Sequence, residues 1–264
     1  MNSRRVVSSI AVLLIAISLT IAGCSSSKLS CSQVQSQLKD STNKAVIPVP
    51  RPDDWWTKRH AAVVERVKQG NVGILFLGDS ITHGWDGQQE LWNSYFGKWN
   101  PVNAGFSGDK TEHVLWRLEH GTVDGISPKL AVIMIGTNNS GGDQYTSEQI
   151  AEGIEAIVCT LRTKLPGTKV LILAIFPRGD DAQRKDKTQG AIYNPQWAKN
   201  DKASQLAARL ADGKMIFFLD INPKFLNDQN VLTREVMPDL LHPQKQGYII
   251  WGESILPTVE KLMK

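Results

Sequence analysis

The amino-acid sequence predicts an α/β domain, a three-layer doubly wound five-stranded parallel sheet. Two observations predict it. Short, near-continuous apolar runs occur at 73–77, 101–104, 130–135, 170–175 and 215–219. Longer amphipathic stretches at helical spacing separate them, at 54–69, 88–97, 109–119, 147–164 and 196–211, and a last one follows at 244–263. A strand that is apolar throughout must be covered on both faces, and parallel neighbours need a crossover, which a helix supplies. The alternation therefore reads as a parallel sheet flanked by helices. In such sheets the working site lies outside the carboxyl ends of the strands.

Ahead of the first helical pattern the chain reads differently. Arg4 and Arg5 precede an apolar run from Val6 to Ala22, and the sequence continues Gly23-Cys24. A basic start, an apolar middle and small residues before a cut site describe a secretory signal over 1–23. An uncleaved membrane anchor is the competing reading, and the serines and threonine in the run make it marginal for spanning a bilayer. Ile21-Ala22-Gly23-Cys24 resembles a bacterial lipobox, which implies lipidation of Cys24 and an exported protein anchored in the cell envelope. Residues 24–50 are rich in Ser, Gln, Lys and Thr, end in Pro48-Val49-Pro50, and read as a flexible tether with one helical turn expected around Val34 to Leu38. The domain is expected over 51–264.

The 264 residues carry a formal net charge of +4, and removal of 1–23 leaves 28 basic against 26 acidic residues. No basic cluster or aromatic-interleaved stripe stands out, so nucleic acid is excluded as a partner. Of three cysteines, Cys24 is assigned to the lipid and Cys159 lies in an apolar helical stretch. Pairing of Cys159 with Cys31 is compatible with an oxidising compartment, but spacing alone leaves it open. No Cys/His grouping has zinc-site spacing, and no metal or cofactor is expected.

Chemistry-bearing motifs follow the apolar runs. The first run ends in Gly78-Asp79-Ser80, which places Ser80 on the turn leaving a strand; alone, this equally describes a capping turn. Asn103-Ala104-Gly105-Phe106-Ser107-Gly108-Asp109 follows the second run, where Gly108 can present a backbone N–H at a helix start, and Asp109 and Glu112 have capping-box spacing. Gly136-Thr137-Asn138-Asn139 follows the third, and offers an Asn amide as a further donor. Pro238-Asp239-Leu240-Leu241-His242 follows the last. A serine nucleophile needs a base to take its proton and a carboxylate to orient that base. Asp239 and His242, three positions apart, can supply both, and His83 is the rival base by its closeness to Ser80. His60, His113 and His120 fall on helical patterns, where surface or packing roles suffice.

This set (Gly-Asp-Ser, Gly108, Gly-Thr-Asn-Asn, Asp-x-x-His) resembles the SGNH (GDSL-type) hydrolase superfamily. Residues 108–118 and 153–158 resemble, more narrowly, the catalytic subunits of the platelet-activating-factor acetylhydrolase Ib type. The resemblance runs from about Trp56 to the C-terminus. It implies a flavodoxin-like SGNH hydrolase fold, Ser80 as nucleophile, His242 as base and Asp239 as its partner. It also implies an oxyanion hole of the Ser80 N–H, the Gly108 N–H and the Asn138 side chain, with no metal or cofactor, and it suggests a homodimer. The expected activity is removal of short acyl groups from an O-acetylated glycan or an acetylated lipid. A thioesterase or acyltransferase would use the same residues, and a glycan-binding envelope lipoprotein is the non-enzymatic alternative.

Overall fold

A computed structural model describes residues 30–38 and 41–264. Five strands, β1 (Ile74–Gly78), β2 (Val102–Gly105), β3 (Leu130–Met134), β4 (Lys169–Leu173) and β5 (Ile216–Leu219), form one sheet in the order β2-β1-β3-β4-β5. Every neighbouring pair is parallel. The helices are α1 (Cys31–Leu38), α2 (Asp54–Lys68), α3 (Ser80–His83), α4 (Gln89–Phe96), α5 (Thr111–Glu119), α6 (Ser147–Lys164), α7 (Asp181–Lys185), α8 (Pro195–Ala208) and α9 (Lys245–Leu262). Connections leave β1 and β3 toward opposite edges, so a crevice opens at their carboxyl ends.

Side-chain alternation along the strands divides the core into two layers. Leu75 and Leu77 of β1, with Ala131 and Ile133 of β3, pack against α2, α5, α6 and α8. Ile74, Phe76, Leu130 and Val132 point to the other face and meet α4 and α9. Trp85, Phe96 and Trp251 fill that second layer, with the Trp85 and Trp251 rings 5.3 Å apart. Both faces of the sheet are thus covered along β1, β3 and β4, and the edge strand β5 is half-buried, which is why the strands read as apolar runs without alternation.

In the segment read as a tether, the helical turn expected around Val34 to Leu38 begins at Cys31, and residues 31–38 and 43–46 are packed onto the domain. Helix α1 buries Val34, and Cys31 forms a disulfide with Cys159 of α6 across 128 residues, Cα to Cα 4.9 Å. Asn43 donates from Nδ2 to the Gln149 carbonyl at 3.0 Å and to Glu152 Oε2 at 2.9 Å. Ala45 and Val46 join the core beside α5 and α6. Their few apolar side chains find a complementary helix face that a polar local composition conceals. Closing a loop of this span stabilises a fold by about 2–5 kcal/mol, chiefly by constraining the unfolded chain. Cys24 and the signal segment lie outside the described residues.

Candidate active site

The site begins with the tight turn that ends β1. At Gly78 a Cβ would lie 2.1 Å from Thr82 Oγ1 and 2.5 Å from the Met134 carbonyl oxygen, so only glycine lets α3 pack against the strand there. Asp79 caps α3, its Oδ1 accepting from the Ile81 N–H at 2.9 Å. Ser80 is therefore the first helical residue, at the carboxyl edge of β1.

A second turn, twenty residues beyond β5, supplies the groups that meet it. Asp239 Oδ1 accepts from the backbone N–H of Leu241 at 3.1 Å and of His242 at 2.7 Å, which winds residues 239–242 into a compact loop. Leu240 in its middle takes φ +56°, a left-handed conformation that costs a non-glycine residue about 1–2 kcal/mol. Its fully buried side chain keeps it there. The loop sets Asp239 Oδ2 2.7 Å from His242 Nδ1, and His242 Nε2 2.9 Å from Ser80 Oγ. With Nδ1 donating to the carboxylate, Nε2 is left as an acceptor facing the serine hydroxyl. Burial alone pushes the Asp239 carboxyl up, but the His242 side chain and the two backbone donors outweigh it and hold it below the ordinary carboxylate range.

Gly108 and Asn138, the other two candidate donors, lie on the turns that follow β2 and β3. Gly108 takes φ +78°, and its backbone N–H, like that of Ser80, enters no backbone hydrogen bond. A Cβ at Gly108 would sit 2.5 Å from Arg51 Nη1, which donates to the Ser107 carbonyl at 2.7 Å and so supports the loop from behind. Asn138 Nδ2 donates to the Asp109 carbonyl at 2.9 Å; this ties the β3 turn to the 108–109 loop and leaves the second N–H of the amide uncommitted.

Two expectations need correction. Asp109 does not cap α5: it is fully buried, accepting from Trp56 Nε1 at 2.7 Å and Arg117 Nε at 2.9 Å. Glu112 accepts from Tyr145 Oη at 2.6 Å instead of reaching back to Asp109, and His113 Nδ1 accepts from the Lys110 N–H at the helix start. A buried arginine 2.9 Å away outcompetes a local cap for Asp109. The rival base His83 does not face Ser80. Its Nδ1 lies 3.0 Å from Ser107 Oγ and 3.3 Å from the Ser107 N–H, and burial holds its imidazole below the ordinary range.

Two neighbours of the site, Arg178 and Arg184, carry no signal in the sequence, and the burial of Asp79 is not visible in its Gly78-Asp79-Ser80 motif. Asp79 is completely buried with Oδ2 unpartnered, and burial pushes its carboxyl up to about 7. Arg178 anchors the β3 turn by donating from Nη1 to Thr137 O and Oγ1, each at 3.1 Å. Arg184 contacts Asp239. A charged residue with no motif around it gives no local signal of such a contact.

Ser80 and His242 lie in an open cleft of about 520 Å³, walled by His83, Asp86, Gln88, Ser107 and Gln244. No Leu, Ile, Val or Met side chain lines it. Among the described residues, no cluster of His, Cys, Asp or Glu is arranged to hold a metal ion. The geometry suits proton transfer from the Ser80 hydroxyl to the His242 imidazole.

Residues 76–250 match the profile of the GDSL-like Lipase/Acylhydrolase family. The human platelet-activating factor acetylhydrolase IB subunit alpha1 is 34% identical over 211 residues, covering 78% of this chain and 85% of that one. A Streptococcus pneumonia protein described as a platelet activating factor superposes with TM-score 0.63 at 23% identity, covering 79% of this chain and 95% of that one. A mutant of an acetyl-xylooligosaccharide esterase from Geobacillus Stearmophilus superposes with TM-score 0.54 at 18% identity, covering 70% and 92%. These two structures speak to the shared fold.

Proposed function

The chain belongs to the GDSL-like lipase/acylhydrolase family and is a carboxylic ester hydrolase, and we propose that it removes short, acetyl-like acyl groups through Ser80, His242 and Asp239. The observation that carries this reading is the continuous hydrogen-bond chain Ser80 Oγ, His242 Nε2, His242 Nδ1, Asp239 Oδ2 at the cleft. Ser80 Oγ attacks the ester carbonyl while His242 Nε2 takes its proton. The Ser80 N–H, the Gly108 N–H and Asn138 Nδ2 receive the oxyanion, each such donor being worth about 3–4 kcal/mol in the transition state. The imidazolium, stabilised by Asp239, protonates the departing alcohol. Water then enters, His242 removes its proton, and the acyl-serine is hydrolysed.

The relatives named as acetylhydrolases support a short acyl group. The polar side chains of Asp86, Gln88, Ser107 and Gln244 in the cleft wall offer hydrogen-bond partners for a hydroxyl-bearing leaving alcohol, such as an O-acetylated glycan or the polar end of an acetylated glycerolipid. Lipidation at Cys24 would hold the enzyme at the bacterial cell envelope, near such substrates.

The test is hydrolysis of p-nitrophenyl acetate, butyrate and octanoate by the full chain beside its Ser80→Ala variant. Acetate should be preferred, and the variant should lose at least about a thousandfold in kcat while folding normally. Retained activity in Ser80→Ala would remove the serine from the mechanism. A folded wild type inert on every ester would favour the glycan-binding alternative.

A further inference from the structure

Arg184 makes a two-pronged contact with the residue that orients the base. Its Nε donates to the Asp239 backbone carbonyl at 3.0 Å, and its Nη2 donates to Asp239 Oδ2 at 3.3 Å. The same Oδ2 accepts from His242 Nδ1. One guanidinium thus grips both the main chain and the carboxylate of a single residue, which fixes the side-chain rotation of Asp239.

The segment that carries Arg184 is itself held firmly. Asp180 caps α7, its Oδ1 accepting from the Gln183 N–H at 2.9 Å. Gln183 Oε1 accepts from Asn194 Nδ2 at 2.9 Å. Arg234 bonds the carbonyls of Gln183, Gln189 and Pro238 at 2.9, 2.8 and 2.7 Å. The Gly179 N–H donates to the Leu240 carbonyl at 2.8 Å. The hydrogen bonds between this segment and the 238–242 loop thus fall on Asp239 and on the left-handed Leu240.

We infer that Arg184 is a positioning residue: it locks Asp239 in register with His242 and, by sharing Oδ2, weakens the hold of the carboxylate on the imidazolium. The inference rests on the proposed Ser80–His242–Asp239 mechanism. The charges facing the pair are Arg184 from α7, Arg178 after β4 and the buried Asp79 beside Ser80. Of these, only Arg184 is hydrogen-bonded to Asp239.

Its two contributions separate by substitution. Arg184→Gln removes charge and fork together. Arg184→Lys keeps the charge, but an ammonium cannot reproduce the planar fork. Without the cation, the imidazolium is better stabilised, so His242 stays protonated to higher pH and the acid limb of the kcat profile moves up. The shift expected for Arg184→Gln is about half a pH unit or more, and for Arg184→Lys close to none. Both variants should lose about ten- to a hundredfold in kcat on p-nitrophenyl acetate, with KM changed little, because the base is misplaced.

The experiment measures kcat, KM and pH profiles for the full chain and the two variants, with the His242 ring titration followed by NMR and melting curves alongside. The expected kcat losses, with the acid limb and the ring titration displaced only in Arg184→Gln, support the inference. Superimposable profiles and titrations with kcat within about twofold of wild type overturn it, as does a lowered melting temperature with kinetics unchanged, since that marks a merely structural arginine. If the wild type proves inert on esters, the hydrolase reading fails; the NMR comparison still decides whether Arg184 governs His242.

Discussion

Asp239 and Asp79 both feel the charge of His242, yet the fold treats the two carboxylates in opposite ways. Asp239 is half-buried and gathers four donors: the His242 ring, the His242 and Leu241 N–H groups, and Arg184. Asp79 is adjacent to the serine in sequence and wholly buried, and it receives a single N–H, from Ile81. One is held as an anion below the ordinary range, and the other is pushed to about 7. The difference teaches that donors, and not closeness to Ser80, decide which carboxylate serves the base. Asp239 is the anion that orients the imidazole, whereas Asp79 shapes the turn that presents the hydroxyl.

The comparison breaks most easily at the level of activity. Asp239→Asn should lower kcat on p-nitrophenyl acetate by about 10³–10⁴-fold, because an amide cannot stabilise the imidazolium. Asp79→Asn keeps an oxygen to cap α3 and should cost less than about tenfold. Equal losses in the two would erase the distinction drawn between them.

Stability against pH gives a second contrast, of opposite sign. Burial raises the Asp79 carboxyl to about 7 in the folded protein, from the ordinary carboxylate range near 3.8. Between those values the unfolded chain ionises while the folded protein keeps its proton, so Asp79 makes stability fall as pH rises through this window, by up to about 4 kcal/mol. Asp79→Asn should therefore gain on wild type between pH 4 and pH 8 in denaturant unfolding; any pH-independent cost of the buried amide cancels in that comparison. The Asp239 carboxyl is depressed when folded, so its contribution is present above the unfolded value and lost as pH falls through the acid range. Asp239→Asn should lose stability at neutral pH and converge with wild type in acid. Parallel curves for the two variants would contradict the assignment of charge.

The smallest effect is expected at His83. Its ring is bonded to Ser107, not to Ser80, and it helps to register the loop before Gly108. His83→Gln should cost several-fold in kcat, at most about tenfold. A loss as large as that of Asp239→Asn would restore it as a base.

Much of this architecture is legible in the amino-acid sequence. Each strand lies within two residues of its apolar run, because burial on both faces writes itself as an uninterrupted hydrophobic stretch. Gly78-Asp79-Ser80 and the Asp239–His242 turn were readable for a similar reason: each is a local loop whose residue types are fixed by tight backbone geometry. Contacts distant in sequence left no such mark. The Cys31–Cys159 bridge spans 128 residues, and Ala45 and Val46 enter the core from a segment whose composition is polar. Asp109 looked like a helix cap because its true partners, Trp56 and Arg117, appear only once α2 and α5 are packed together. Arg184, on a five-residue helix, carries no periodicity at all.

The central claim is that Ser80 is a nucleophile activated by His242. Its most direct measurement is covalent: the folded full chain is treated with a fluorophosphonate probe and the adduct is mapped by peptide mass spectrometry. The account predicts stoichiometric labelling of Ser80 in the wild type and its near-complete loss in His242→Ala. Labelling of Ser107 or another residue, or labelling of Ser80 that survives removal of His242, would contradict it.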